Sequence, residues 1–322
     1  MKGKFLGLLS LILVLGLGLV GCSKDSSSDG KLVIGINQFM EHPALDDARQ
    51  GFIEELEGLG LDVKINYMNA QGDIPNSISI AEKFVSDRVD LIYAIGTPSA
   101  QSSKQVAGDI PILFSAVTDP VDAGLVKDWD QVGTNVTGTS DRADILDQLK
   151  LFHEIDPSIK KIGSIYNTGE ANSNIQVEEL RRLAPELGLD VETIGVSSMN
   201  DIAQALDSLI RKVDAVYILS DNMLASSVGL VGDKLIENQM VSVSAEESQV
   251  KGGILITQGI SYYQLGAETA QMARDILLDG RDIRSIPVGL SKNKDIKINT
   301  RTLEQLKLDK NLEVFQNALA LD

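Results

Sequence analysis

Thr97-Pro98-Ser99 follows the apolar run Leu91–Ile95 and reads as the opening turn of a helix. Two hydroxyls and backbone N–H groups with no intrahelical partner make such a turn an anion site. Ser115 and Thr118 can add donors from the end of the neighbouring apolar run Ile112–Ala116. In the later half of the chain, Asp221 follows Ala215–Leu219 and Glu246 follows Val241–Val243, and both offer negative charge. Donors on one wall and carboxylates on the other suit a zwitterion, the charge pattern of an α-amino-acid head group. Helix capping is the plainer role for Thr97, Ser99, Asp221 and Glu246.

Catalysis finds little material. His42 and His153 are the two histidines, Cys22 is the single cysteine, and no GxSxG, HExxH or paired-Cys motif occurs. A general base needs a nucleophile or second acid–base group at matching distance. The expected role of His42 is therefore to fix the Glu41–Pro43 turn, and His153 reads as a helix-end residue. No enzyme activity, cofactor or metal is expected.

The elements that must position these groups alternate. Val33, Ile34 and Ile36 form a brief apolar run, as in a strand covered on both faces. Pro43 stands where a first helical residue needs no N–H, and Leu45, Ala48, Phe52, Leu56 and Leu59 recur at helical spacing. Strands are expected at Val63–Tyr67, Leu91–Ile95 and Ile112–Ala116, with helices at Pro75–Ser86 and Ser99–Ala107. Gly133–Thr139 (GTNVTGT) reads as a polar connection to a helix around Ile145–Glu154. The alternation then resumes with strands Lys161–Tyr166, Val191–Ile194, Ala215–Leu219, Val241–Val243 and Gly253–Thr257. Helices Ile175–Leu187, Ile202–Lys212 and Leu224–Asn238 separate them, and Leu265–Leu278 follows.

The second series looks like a copy of the first. Leu59-Gly60-Leu61-Asp62-Val63 recurs as Leu187-Gly188-Leu189-Asp190-Val191, Ile34-Gly35 as Ile162-Gly163, and Val89-Asp90 as Val213-Asp214, in the same order. The expected fold is therefore α/β, with two similar lobes, each a doubly wound parallel sheet. Their ligand cleft should lie between facing carboxyl edges. Six loops would line it. On the first lobe they are Gln38–Pro43, Gly96–Ser99 and Ser115–Pro120, carrying Gln38, Phe39, Thr97, Pro98, Ser99, Ser115, Thr118 and Asp119. On the second they are Asn167–Ser173, Ser220–Asn222 and the turn at Glu246, with Tyr166, Asn167, Asp221 and Asn222 beside it. None of the six contains Lys or Arg, which argues against a phosphorylated or multiply anionic ligand. Phe39, Tyr166 and Tyr262 or Tyr263 are candidates for an aromatic side pocket.

Bulk properties narrow the partners. A formal charge of −17 argues against nucleic acid or an anionic membrane face. Aromatic residues are 4% of the chain with one Trp, which disfavours a stacking platform for carbohydrate. At the N-terminus Lys2 and Lys4 precede the apolar run Phe5–Val20, the pattern of an export signal over 1–21. Leu19-Val20-Gly21-Cys22 resembles the bacterial lipoprotein lipobox, which implies a lipidated Cys22. Residues 22–31 read as a polar tether. The product is expected outside the cytoplasm, held to the membrane by that lipid alone.

QFMEHPALDDARQGF, NAQGD, IGTPSA, AVTDPVDAGLV, NVTGTSD, YNTGEANS, SDN and GISYYQLG, in this order, resemble the ABC-transporter substrate-binding family linked with tryptophan and tyrosine uptake. The resemblance runs from about Leu32 past Gly289. It implies a type I periplasmic-binding fold whose chain crosses three times between lobes, 32–138 with 262–283 and 139–261 with 284–322. The resemblance does not fix the ligand; together with the zwitterion reading, the expectation is a monomer that captures a small ligand, an aromatic or large apolar amino acid, and presents it to an ABC permease. A sensor ectodomain serving a signalling receptor, and a sugar- or nucleoside-binding member of the fold, stay open as alternatives.

Overall fold

The computed structural model describes residues 31–290 and 295–321. The leader 1–21, Cys22 and all of the tether except Lys31 lie outside the described residues.

The first lobe starts with β1 (Leu32–Gln38), α1 (Pro43–Gly58), β2 (Val63–Asn69), α2 (Ile74–Asp87), β3 (Leu91–Ile95), α3 (Thr97–Val106), β4 (Ile112–Ser115) and β5 (Val136–Ser140). The second repeats the series with α4 (Ile145–Ile155), β6 (Lys161–Asn167), α5 (Ala171–Leu183), β7 (Asp190–Val196), α6 (Ile202–Ile210) and β8 (Ala215–Ile218). It continues through α7 (Asn222–Ser226), α8 (Val228–Glu237), β9 (Val241–Glu246), α9 (Glu247–Lys251) and β10 (Ile256–Ile260). Helix α10 (Tyr262–Leu277) packs back against α1, and β11 (Gly289–Leu290) rejoins the first sheet. The chain ends on the second sheet with β12 (Lys297–Ile298) and β13 (Leu319–Ala320). It thus passes between lobes three times.

The strand orders are β11-β5-β4-β3-β1-β2 and β13-β12-β10-β9-β8-β6-β7. Without their terminal additions they are the same order, and every ladder is parallel except β10 with β12. The repeated Val-Asp does one job in both lobes. The Asp90 carboxylate accepts the Val33 N–H at 2.7 Å, and that of Asp214 accepts the Lys161 N–H at 2.8 Å. Each thereby pins the start of the first strand of its lobe. Both sheets reverse order beside that strand, between β1 and β3 and between β6 and β8, the place where open α/β sheets take ligands.

Helices α1 and α10 lie so close that a Cβ on Gly266 would sit 1.9 Å from the Ala48 carbonyl oxygen, and one on Gly51 2.0 Å from that of Tyr263. Next to that contact Phe52 stacks on Tyr93, ring centroids 3.9 Å apart, in the first-lobe core.

Three expectations change. The polar run before Thr139 is not a connection but leads into the buried strand β5. Its hydroxyls find internal partners: Thr137 donates to the Ile286 carbonyl at 2.9 Å, and Thr139 to that of Leu265 at 3.1 Å. Helix α5 opens at Ala171, so Ala171–Ser173 form its first turn rather than a loop. The helix expected over Leu224–Asn238 breaks at Ser227, next to Ser226, whose hydroxyl donates back to the Met223 carbonyl at 2.8 Å. Thr139 and Ser140, at the end of β5, pair with Gly289 and Leu290 of β11.

Candidate functional site

The carboxyl edges of both sheets meet at one small cavity. His42, Ala44 and Leu45 come from the start of α1, Ala116 follows β4, and Asp141 follows β5. From the second lobe come Asn172, Ser220, Asp221, Asn222, Ala225, Glu246 and Gln249, and Tyr262 opens α10. Ala116 holds φ at +60°, a left-handed conformation that costs a non-glycine residue about 1 kcal/mol or more. The lobes touch across the cavity: His42 Nε2 lies 3.1 Å from Asn222 Oδ1. Outside it, Lys251 reaches Asp47 at 3.4 Å, and Arg142 joins Asp119 at 2.8 Å to Glu179 at 3.2 Å. The remaining space holds roughly one water molecule, so a larger guest requires the lobes to part.

The wall is acidic and short of donors. Asp141, Asp221 and Glu246 line it, Glu170 stands behind Asn222, and no Lys or Arg does so among the described residues. Burial pushes the Glu246 carboxyl up to about 7, against the hydrogen bonds that Ser248 donates to it. Burial also raises Asp141, against the phenol O–H of Tyr262, which donates to its Oδ2. Glu170 and Asp221 are both raised by burial, Glu170 further by the charge of Asp221 beside it. His42 is held down to about 4 by burial, which outweighs its bond to Asn222. Four acceptor atoms on this wall are buried without a protein partner: Asp141 Oδ1, Asn172 Oδ1, Gln249 Oε1 and His42 Nδ1. An unpaired buried acceptor costs about 1–3 kcal/mol, so a donor-rich cation entering here is favoured twice, by charge and by hydrogen bonding.

Of the residues expected to meet a ligand, Asp221, Asn222 and Glu246 line the cavity. Asp221 is nonetheless heavily committed. It accepts from the Asn167 N–H and the Ser173 hydroxyl, each at 2.6 Å, and caps α7 through the Leu224 N–H at 3.0 Å. Thr97 and Pro98 open α3, which has no side-chain cap, and the Thr97 hydroxyl is buried without a partner. A Cβ on Gly96 would lie 3.9 Å from Asn222 Oδ1, which sets that helix start beside the His42–Asn222 contact. Ser99 turns its hydroxyl inward to Asn37 and Ser77. Ser115 bonds Thr269 at 2.8 Å and Thr139 at 3.0 Å, tying α10 to the first sheet.

The others serve the scaffold. Gln38 braces α1 through Asp46 and Arg49, and Phe39 packs in the core. Thr118 accepts from Ser140 at its carbonyl, while Asp119 caps Val121 and pairs with Arg142. Tyr166 packs against the second-lobe core, and Asn167 donates to Glu170 at 2.9 Å. Tyr263 faces outward to Glu54, which leaves Tyr262 the one aromatic on the described cavity wall. His42 does not fix its own turn; its side chain reaches the other lobe.

Asp141 and Gln249 escaped the sequence, whereas Asn172 lies in the expected loop Asn167–Ser173 without being singled out there. Asp141 directly follows β5, a strand read as a connection, and Gln249 follows Glu246 by one helical turn, a spacing that would have placed it on the same wall.

Comparison with known proteins adds to this geometry. The family model described as ABC transporter substrate binding protein matches residues 33–320. A protein of Clostridioides difficile named tyrosine-binding protein is 42% identical over 94% of this chain and 93% of its own. A solved domain of Streptococcus pneumoniae in complex with L-Trp is 33% identical and superposes with a TM-score of 0.85, covering 90% of this chain and 100% of that one. A ligand-free, open substrate-binding protein with adhesive properties from Clostridium difficile is 42% identical but superposes at only 0.70, covering 90% and 99%. The more similar sequence therefore has the less similar shape, as expected if the lobes here are drawn together.

Proposed function

This chain belongs to the ABC transporter substrate binding protein family, and we propose that it captures an aromatic amino acid, L-tyrosine or L-tryptophan, between its lobes. Substrate-binding proteins of ABC transporters act outside the cytoplasm, and no described helix is long and apolar enough to cross a membrane. The observation that carries the ligand class is the set of unpartnered acceptors around a cavity between the two lobes, lined by buried carboxylates and by no Lys or Arg among the described residues. A primary ammonium has three N–H donors and one positive charge, so it can satisfy three of the four acceptors and offset the acidic wall. The opening turn of α3, with Thr97 at its head, supplies donors for the ligand carboxylate. The names of the two relatives point to an aromatic side chain.

Closure buries the ligand and joins the outer faces of the lobes into one surface for a membrane permease. No bond is made or broken. Cys22 carries the lipid that holds a monomeric receptor at the membrane, with 22–31 as its tether. Replacing Cys22 by Ser should release the protein into the medium. For the ligand, the mature chain is melted with each of the twenty amino acids at millimolar concentration. Tyrosine or tryptophan should raise the melting temperature most, because they bind only the folded form. A panel without any shift would remove this ligand class.

A further inference from the structure

His42 differs from the other unpartnered groups in coming from the first lobe while bonding the second. It is the residue before α1, and its ring caps nothing there. Its Nε2 lies 3.1 Å from Asn222 Oδ1. Which ring nitrogen carries the proton follows from the groups beyond. Asn222 donates its Nδ2 to Glu170 Oε2, a carboxylate that also receives Asn167 Nδ2 at 2.9 Å, Asn172 Nδ2 at 3.3 Å and the Asn222 N–H at 3.4 Å. These N–H groups require an acceptor, so the Asn222 amide has its nitrogen toward Glu170 and its oxygen toward His42. An amide oxygen only accepts, which places the imidazole proton on Nε2. A buried ring with a depressed pKa has no second proton to hold. Nδ1 therefore keeps a lone pair, buried on the cavity wall with no protein partner.

We infer that His42 reads the ligand from the first lobe: its Nδ1 accepts a hydrogen bond from the ligand's ammonium while its Nε2–H holds Asn222 of the second lobe. One ring then serves recognition and closure together, and its tautomer is set by the Asn222–Glu170 chain. The inference rests on the amino-acid reading proposed above and adds the residue that would make head-group binding and lobe contact one event. Asp141, Asn172 and Gln249 hold the other unpartnered acceptors on the wall, from which the ammonium's two remaining N–H groups draw their partners.

Two substitutions separate the ring's two jobs. His42→Gln can keep an N–H near the Nε2 position for Asn222 but has no acceptor at Nδ1. His42→Asn places an amide near Nδ1 and cannot reach Asn222. Calorimetry of the mature chain with L-tyrosine and L-tryptophan at pH 7.5 should show His42→Gln weakened about tenfold or more, and His42→Asn weakened less. Wild-type affinity in His42→Gln, or a larger loss in His42→Asn, makes His42 an inter-lobe tie only and overturns the inference. A wild type that binds no amino acid overturns the parent reading and this one with it. A second readout avoids variants altogether. The chain has two histidines, so the 15N resonance of His42 Nδ1 can be followed in wild type. It should move toward the hydrogen-bonded position on saturation with ligand, and an unmoved resonance overturns the inference.

Discussion

Replacing Asp141 by Asn should lower affinity without lowering the stability of the unliganded protein. Asp141 is 4% exposed; one carboxylate oxygen receives the Tyr262 phenol and the other is the unpartnered acceptor on the cavity wall. In the Asp141→Asn variant the amide oxygen can keep Tyr262. The amide nitrogen then takes the other place, and its N–H groups face an ammonium that can only donate. Loss of a hydrogen bond to a charged group costs about 1.5–3 kcal/mol, or roughly ten- to a hundred-fold in Kd. In the unliganded protein the effect has the other sign. Burial already disfavours the Asp141 charge, so a neutral isostere removes a desolvation penalty, and the melting temperature should hold or rise. Calorimetry with L-tyrosine at pH 7.5 and a thermal melt without ligand read the two effects separately. An unchanged Kd would refute the ammonium contact. A weakened Kd together with a collapsed melting temperature would reduce Asp141 to a structural residue joining two lobe crossings.

Two further expectations concern the scaffold and pH. Glu246, with a folded pKa of about 7, and Glu170, also raised, bind protons more tightly folded than unfolded. Their stabilising contribution is complete below the ordinary carboxylate range and is lost as pH rises through the folded pKa. His42, lowered to about 4, acts the opposite way, and its share is lost as pH falls from about 6.5 toward 4. Above pH 6.5 only the acids contribute, so the melting temperature of the unliganded protein should fall between pH 6.5 and 8. Saturating ligand should shrink that fall, and a flat unliganded profile would contradict the acidic wall. Gly266→Ala, with its Cβ 1.9 Å from the Ala48 carbonyl oxygen, should destabilise by about 1–3 kcal/mol or more in urea unfolding despite alanine's better helix propensity. Wild-type stability would mean that α1 and α10 can part at little cost.

The architecture was legible because it is written twice. Val-Asp before each third strand and Leu-Gly-Leu-Asp before each second mark the same places in both lobes, and apolar runs fix the buried strands between them. Strand β5 was not legible, since Thr137, Thr139 and Ser140 look like a loop until Ile286, Leu265 and Thr118 are brought alongside as acceptors. The site divides in the same way. Strand ends told which loops meet, and Asp221, Asn222 and Glu246 do line the cavity. Which hydroxyl or carboxylate is left for a ligand depends on what the rest of the fold consumes. Ser99 is taken by Asn37 and Ser77, Ser115 by Thr139 and Thr269, and Asp119 by Arg142. Those partners lie far off in sequence, so no local pattern records them. Asp141, Asn172 and Gln249 matter for the converse reason: each keeps an oxygen that nothing in the chain satisfies.

The most direct measurement removes the donor from the ligand and leaves the protein intact. Calorimetric titration of the mature chain with L-tyrosine, and with the otherwise identical acid that lacks the α-amino group, isolates the acceptor ring as the source of recognition. Tight binding of the amino acid, and a loss of at least about a hundred-fold for the deaminated acid, is the predicted result. Equal binding of the two would contradict it.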